Sequence, residues 1–174
     1  YNHGNPDLAR PWALPGTPGM EHRIGGLEKW EETGHVSYDP ENHQRMVELR
    51  QNKVDIIARD IAPAKPFGKE SGDLLVIGWG GTHGAIRSAV ETAHDEGMSV
   101  SHLHLRHLNP FPKNLGEILV KFQKVMIAEL NLGQLSTIIR SKFLVDAVSL
   151  NKVQGKPFTQ TEVYNKITKL VKGI

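Results

Sequence analysis

The stretch from Gly72 to Gly97, GDLLVIGWGGTHGAIRSAVETAHDEG, constrains how the rest of the chain can fold. Leu74-Leu75-Val76-Ile77 is a short apolar run flanked by glycine, which is how a strand buried on both faces reads. Gly78, Gly80 and Gly81 supply a tight turn. Beyond the turn, Ala85, Ile86, Ala89, Val90 and Ala93 recur at helical spacing, and Gly97 offers a left-handed cap. Strand, turn and helix in that order form the unit from which doubly wound α/β sheets are built.

The chain beyond Gly97 repeats the unit. Val100, Leu103 and Leu105 within MSVSHLHLRHL predict a second strand, broken by Asn109-Pro110-Phe111-Pro112. Leu115, Ile118, Leu119 and Phe122 share a helical face. Val125–Ala128 predicts a third buried strand ending at Glu129. A helix from about Gly133 turns Leu135, Ile138, Ile139, Phe143 and Leu144 inward. Ala147–Leu150 reads as a fourth strand, and Thr159 or Thr161 caps a last amphipathic helix through Val163, Ile167, Leu170 and Val171. The order predicts an α/β three-layer sandwich, a mostly parallel sheet of four to five strands with helices on both faces.

The region before Gly72 differs. Residues 1–36 are rich in Pro and Gly and keep no period, so they read as a loop-rich extension. Trp12, Leu14, Met20, Ile24, Leu27 and Trp30 are too many apolar anchors for a solvated linker and are expected to pack against something. Asp39-Pro40-Glu41-Asn42 is a helix start, with Asp39 as cap, Pro40 where its missing N–H costs nothing, and Glu41 at the positive end of the dipole. Met46, Leu49, Val54, Ile57 and Ile61 then predict one helix of about five to six turns. Pro63 and Pro66 stop it, and Ala62–Ser71 is the expected linker and domain boundary.

Composition narrows the function. With 21 Lys and Arg against 19 Asp and Glu, scattered through 174 residues, nothing points to nucleic acid or an anionic membrane surface. No run of about 18 apolar residues is present, so no membrane span is expected. Cysteine is absent, so the chain supplies no thiolate ligand for an iron–sulfur cluster or zinc and no disulfide, which suits a cytoplasmic protein. The chain opens at Tyr1, without methionine, and reads as a piece of something larger.

The motifs are modest. Gly78-Trp79-Gly80-Gly81-Thr82-His83-Gly84 joins strand to helix and can be either a phosphate-binding turn or a purely structural one. A dinucleotide site also needs a carboxylate about 20 residues on, where this chain reads His102-Leu103-His104-Leu105-Arg106-His107. His102 and His104 share a strand face with His107 just past its end, an arrangement open to a metal but equally to histidines at a sheet end or subunit contact. His22 and His35 are candidate ligands or ordinary loop residues. Ligands and partners meet such sheets at the strand ends, which nominates the loops Gly80, Gly81, Thr82 and His83; His107 and Asn109; and Glu129, Asn131 and Gln134. The last three either face a neighbouring active site or cap the next helix. No GxSxG, HExxH or Cys/His pair supplies catalysis from within the chain.

These loops also carry a resemblance. Leu14-Pro15-Gly16-Thr17-Pro18-Gly19, Gly26-Leu27-Glu28, Asp39–His43, Gly72–Arg87, HLHLRHLNPFPKNLGEIL (102–119), AELNLGQL (128–135) and LNKVQGKPF (150–158) resemble the C-terminal part of the alpha subunit of 2-oxoacid:ferredoxin oxidoreductases, most closely the 2-oxoglutarate type. The Arg106-x-Leu108-x-Pro110 pattern with an Ala128-Glu129 strand end also looks like the C-terminal domain of transketolase. The resemblance implies that residues 72–174 are a transketolase C-terminal-like domain that builds subunit interfaces. Residues 1–71 would then be the tail of a pyrimidine-binding domain with its connector helix and linker. It implies a complete enzyme that uses thiamine diphosphate, Mg²⁺, a [4Fe-4S] cluster and CoA, with the thiamine and the cluster on a partner beta subunit and ferredoxin as electron acceptor. This piece would bind none of them itself and would be inactive alone. Where relatives tend to read Gly-Leu-Glu-His-Asp-Glu, this chain has Gly26-Leu27-Glu28-Lys29-Trp30-Glu31. The rival expectation is a stand-alone flavodoxin-like module holding an anionic small molecule at Gly80–His83.

Overall fold

The structure, a computed structural model, describes residues 5–173. Residues 1–4 and 174, the outer ends of the two expected segments, lie outside the described residues. The chain divides into two compact units between Asp60 and Ile61.

In the first unit, helix α1 runs Pro40–Ile56, and Asp39 caps it as expected, its carboxylate accepting from the Asn42 amide at 2.7 Å. The helix is shorter than its apolar spacing predicts. It tightens into a 3₁₀ turn at Ile57–Arg59, and Ile57 is half exposed. Preceding it is irregular chain joined by a single antiparallel bridge, Lys29 to Val36. The apolar anchors do not gather into a core. Trp12 is 90% exposed and Ile24 89%, and Met46 is the only buried hydrophobic residue among the described residues up to Asp60.

The second unit is the predicted sandwich. Strands β1 (Gly72–Trp79), β2 (Val100–Leu105), β3 (Phe122–Glu129) and β4 (Ala147–Asn151) alternate with helices α2 (His83–Asp95), α3 (Leu115–Leu119) and α4 (Gln134–Phe143), and α5 (Gln160–Lys172) closes the chain. The strands pair in parallel in the order β2-β1-β3-β4. Leu74 to Ile77 have no exposed surface, because β1 lies between two strands and under helices on both faces. On one face Leu75, Ile77, Leu103, Val125 and Ile127 pack against α3 and α4. On the other, Leu74, Val76, Val100 and Met126 meet α2 and α5. Burying each such side chain contributes about 1.5–3 kcal/mol, so the sheet centre holds the unit together.

Three sequence expectations change. Phe122 does not extend α3, which ends at Leu119; it opens β3, with Gln123 and Lys124 facing solvent before the apolar run begins. In α4 the inward residues are Leu135, Ser136 and Ile139, while Ile138 is 48% exposed and Leu144 89%. Leu144 is the left-handed C-cap (φ 54°), so the helix stops before its side chain can turn inward. The stretch 62–71 is not a free linker. Asn114 both donates to and accepts from the Ala64 backbone, at 2.8 and 2.9 Å, and Phe67 forms an antiparallel bridge with His102 at the outer edge of β2. The helix ends before either proline is reached, since α1 stops at Ile56 and its 3₁₀ turn at Arg59, and residues beyond Pro63 pair with the sheet.

Candidate functional site

The turn after β1 is fixed by its side chains. Thr82, 2% exposed, accepts from the Trp79 amide at 3.1 Å and donates to the Trp79 carbonyl at 2.9 Å, closing a 3₁₀ turn over Gly80–Thr82. Gly80 takes φ +57°, and a Cβ at Gly78 would crowd Ile86 Cδ1 at 2.3 Å and Thr82 Oγ1 at 2.5 Å. The turn leaves Gly80, Gly81 and His83 exposed. In a sheet of order β2-β1-β3-β4, α2 follows β1 onto one face and α4 follows β3 onto the other, so the strand order reverses between β1 and β3, the place where such folds receive ligands. The loops Gly80–His83 and Glu129–Gln134 flank it.

On the β3 side every polar candidate has a structural partner or faces solvent. Glu129 has no exposed surface, and its two oxygens accept from the amides of Leu135 (3.0 Å) and Ser136 (2.9 Å). Asn131 accepts from the Gly133 and Gln134 amides at 2.7 and 3.2 Å. Together they supply the N-terminus of α4 with the acceptors it lacks, since Gly133 at the cap position has no side chain to offer. Gln134 is exposed at the first turn. The loop is thus held rigid while displaying Leu132, 81% exposed. His107 and Asn109 are exposed beyond β2, ahead of a cis Asn109–Pro110 bond.

The structure adds His83 to the pair His102 and His104, which the sequence already placed on one strand face. The His83 ring lies 5.3 Å from that of His102 and 4.9 Å from that of His104, which are themselves 6.0 Å apart. His102 and His104 stand on β2 opposite Val76 and Gly78 of β1, and His83 opens α2, the helix that follows β1. Burial, then the neighbouring His83 and His104, pushes His102 down to about 3. His104 is lowered too, first by burial and then by His83 and Arg106. Both rings are therefore neutral near pH 7. His102 Nε2, His104 Nδ1 and Trp79 Nε1 are buried without hydrogen-bond partners. Among the described residues no group of three His, Asp or Glu is placed to hold a metal ion. His22 and His35 are exposed, with His22 Nδ1 2.9 Å from the Met20 carbonyl oxygen.

Sequence reasoning missed the hub on Glu28. Its carboxylate accepts two bonds from Arg50, both 3.2 Å, and lies 2.9 Å from His43 Nδ1, while Glu31 pairs with Arg45. Arg50 above all, with His43, holds Glu28 down to about 2 against the opposing effect of burial. A shared 3.6-residue face of α1, carrying His43 and Arg50, was the available signal.

Residues 72–163 match the family described as pyruvate:ferredoxin oxidoreductase core domain II. The 2-oxoglutarate oxidoreductase subunit KorA of Mycobacterium tuberculosis is 49% identical over 164 residues, 94% of this chain and 25% of that protein. The structure of 2-oxoglutarate:ferredoxin oxidoreductase from Magnetococcus marinus, solved with 2-oxoglutarate, coenzyme A and succinyl-CoA bound, superposes with a TM-score of 0.87. It is 30% identical, over 96% of this chain and 30% of that one. A split-gene transketolase, the inactive beta4 tetramer, matches 64% of this chain and 43% of its own, with a TM-score of 0.51 at 18% identity, which shows a shared fold. The chain spans about a quarter of the length of the M. tuberculosis relative.

Proposed function

The chain belongs to the pyruvate:ferredoxin oxidoreductase core domain II family, and from that premise we propose that it is a structural, subunit-interface domain in the alpha subunit of a thiamine-diphosphate-dependent 2-oxoacid:ferredoxin oxidoreductase. The favoured substrate is 2-oxoglutarate, decarboxylated oxidatively to an acyl-CoA with reduction of ferredoxin. The observation that carries the reading is the use made of Glu129. At the carboxyl end of the sheet, where such folds do chemistry, Glu129, the one buried acid among the described residues, is committed to two helix amides rather than aimed at a reactant.

The donor set agrees with a division of labour. Without cysteine the chain has no thiolate for an iron–sulfur cluster, and the described residues include no acid cluster suited to Mg²⁺. In this reading no step of the reaction is assigned to this chain's side chains. Thiamine diphosphate and the cluster would sit on a partner beta subunit. In this reading residues 72–174 are the transketolase C-terminal-like domain, and residues 1–71 are the tail of the pyrimidine-binding domain with its connector helix and linker. No helix among the described residues is long and apolar enough to cross a membrane, and a cytoplasmic enzyme is proposed. The relatives are oxidoreductase alpha subunits, which does not favour a stand-alone anion-binding module.

The test is recovery of the protein from its own cells with an affinity tag. A brown complex containing a second chain that carries thiamine diphosphate is the expected result, with no 2-oxoacid oxidation by the isolated chain. A colourless protein that purifies alone, or turnover by the isolated chain, would overturn the reading.

A further inference from the structure

The Glu28 hub forms part of the wall of a cavity of about 370 Å³ in the first unit. That volume falls in the range of small-ligand sites, about 300–1,000 Å³. Four cations, Arg10, Lys29, Arg50 and Lys53, line it together with one carboxylate, Glu28. Arg50 and His43 already engage that carboxylate, so it does not cancel the charges of Lys29 and Lys53. Lys29 is held in place rather than left to swing in solvent. Its ammonium donates to the carbonyl oxygens of Gly25 (2.7 Å) and Leu27 (2.9 Å), which leaves one of its three donors for a guest. Lys53, in the last turn of α1, makes no hydrogen bond or ion pair among the described residues. The rest of the lining is apolar, with Met46 only 3% exposed and Leu49 beside it.

A positively charged wall over an apolar floor selects for a guest with both features, a small anionic head and a short hydrocarbon body. We propose that this cavity binds a short aliphatic carboxylate, its head held by Lys29 and Lys53 and its chain laid against Met46 and Leu49. The site draws only on residues of the first unit and does not depend on the subunit reading.

Titration calorimetry of the full chain at low ionic strength tests it with three probes. Hexanoate carries head and chain, inorganic phosphate the charge alone, and hexanol the chain alone. The expected result is saturable one-to-one binding of hexanoate, with phosphate and hexanol each at least about tenfold weaker. Lys53→Glu should weaken hexanoate by about tenfold with an unchanged circular dichroism spectrum, and Lys169→Glu in the second unit should leave it unaltered. Should Lys53→Glu disturb the fold, Lys53→Gln serves in its place. No saturable binding, equal binding of phosphate, or hexanoate binding indifferent to Lys53 would each overturn the proposal.

Discussion

Glu129 ends β3 with no exposed surface, and each of its oxygens receives one amide of α4. Replacing it with alanine strands two buried donors, each costing about 1–3 kcal/mol when left unmade. Glu129→Ala should therefore lower unfolding free energy by about 2–6 kcal/mol in urea titration, and Glu129→Gln, which keeps one acceptor, by roughly half that. An alanine variant as stable as the parent would show that the carboxylate is not a structural cap. Gly78 makes a parallel case in sterics. An added methyl would lie 2.3 Å from Ile86 Cδ1 and 2.5 Å from Thr82 Oγ1, so Gly78→Ala should cost about 1–3 kcal/mol. Combining it with Ile86→Val removes one of the colliding atoms, and the double variant should lose less stability than the two single losses added together.

Between β1, β2 and α2 lies the histidine cluster, which couples these elements to pH. His102 is pushed from 6.5 to about 3, chiefly by burial, so the folded chain binds this proton less well than the unfolded one. Its contribution is complete above pH 6.5 and drains away as the pH falls towards 3, at up to roughly 1.4 kcal/mol per unit. Glu28 and Glu162, lowered from 4.5 to about 2, lose their contributions only below 4.5. The window from 4.5 to 6.5 thus belongs to His102, with His104 adding in the same direction. Urea midpoints of the second unit should fall across that window, and His102→Phe should flatten the slope; an unchanged slope would mean the ring is not held neutral. The elements themselves were legible in the sequence, because Leu74–Ile77, the glycine turn and the Asp39-Pro40 start are local signals. So was the sharing of one strand face by His102 and His104; the approach of His83 to them was not, because it depends on how α2 packs beside β2, a tertiary property. The brevity of α3 and the pairing of Phe67 with β2 were hidden for the same reason, since both are decided by what packs alongside.

Across the whole molecule, stability is divided unevenly. The second unit buries two apolar clusters on opposite faces of its sheet, whereas up to Asp60 only Met46 among the described hydrophobic residues is buried. Limited proteolysis of the chain should cut first among residues 5–36 and leave a resistant product beginning near residue 61. Cleavage that begins in the loops of the sandwich would contradict this division. The bridge between Phe67 and His102 also bears on how the protein is made. A flat outer strand offers unmatched peptide groups to any other copy of itself, the route by which nascent proteins aggregate in a crowded cell. Phe67 precedes β2 in the chain, so it leaves the ribosome first. The residue that pairs with the middle of that strand is already made when the strand itself emerges.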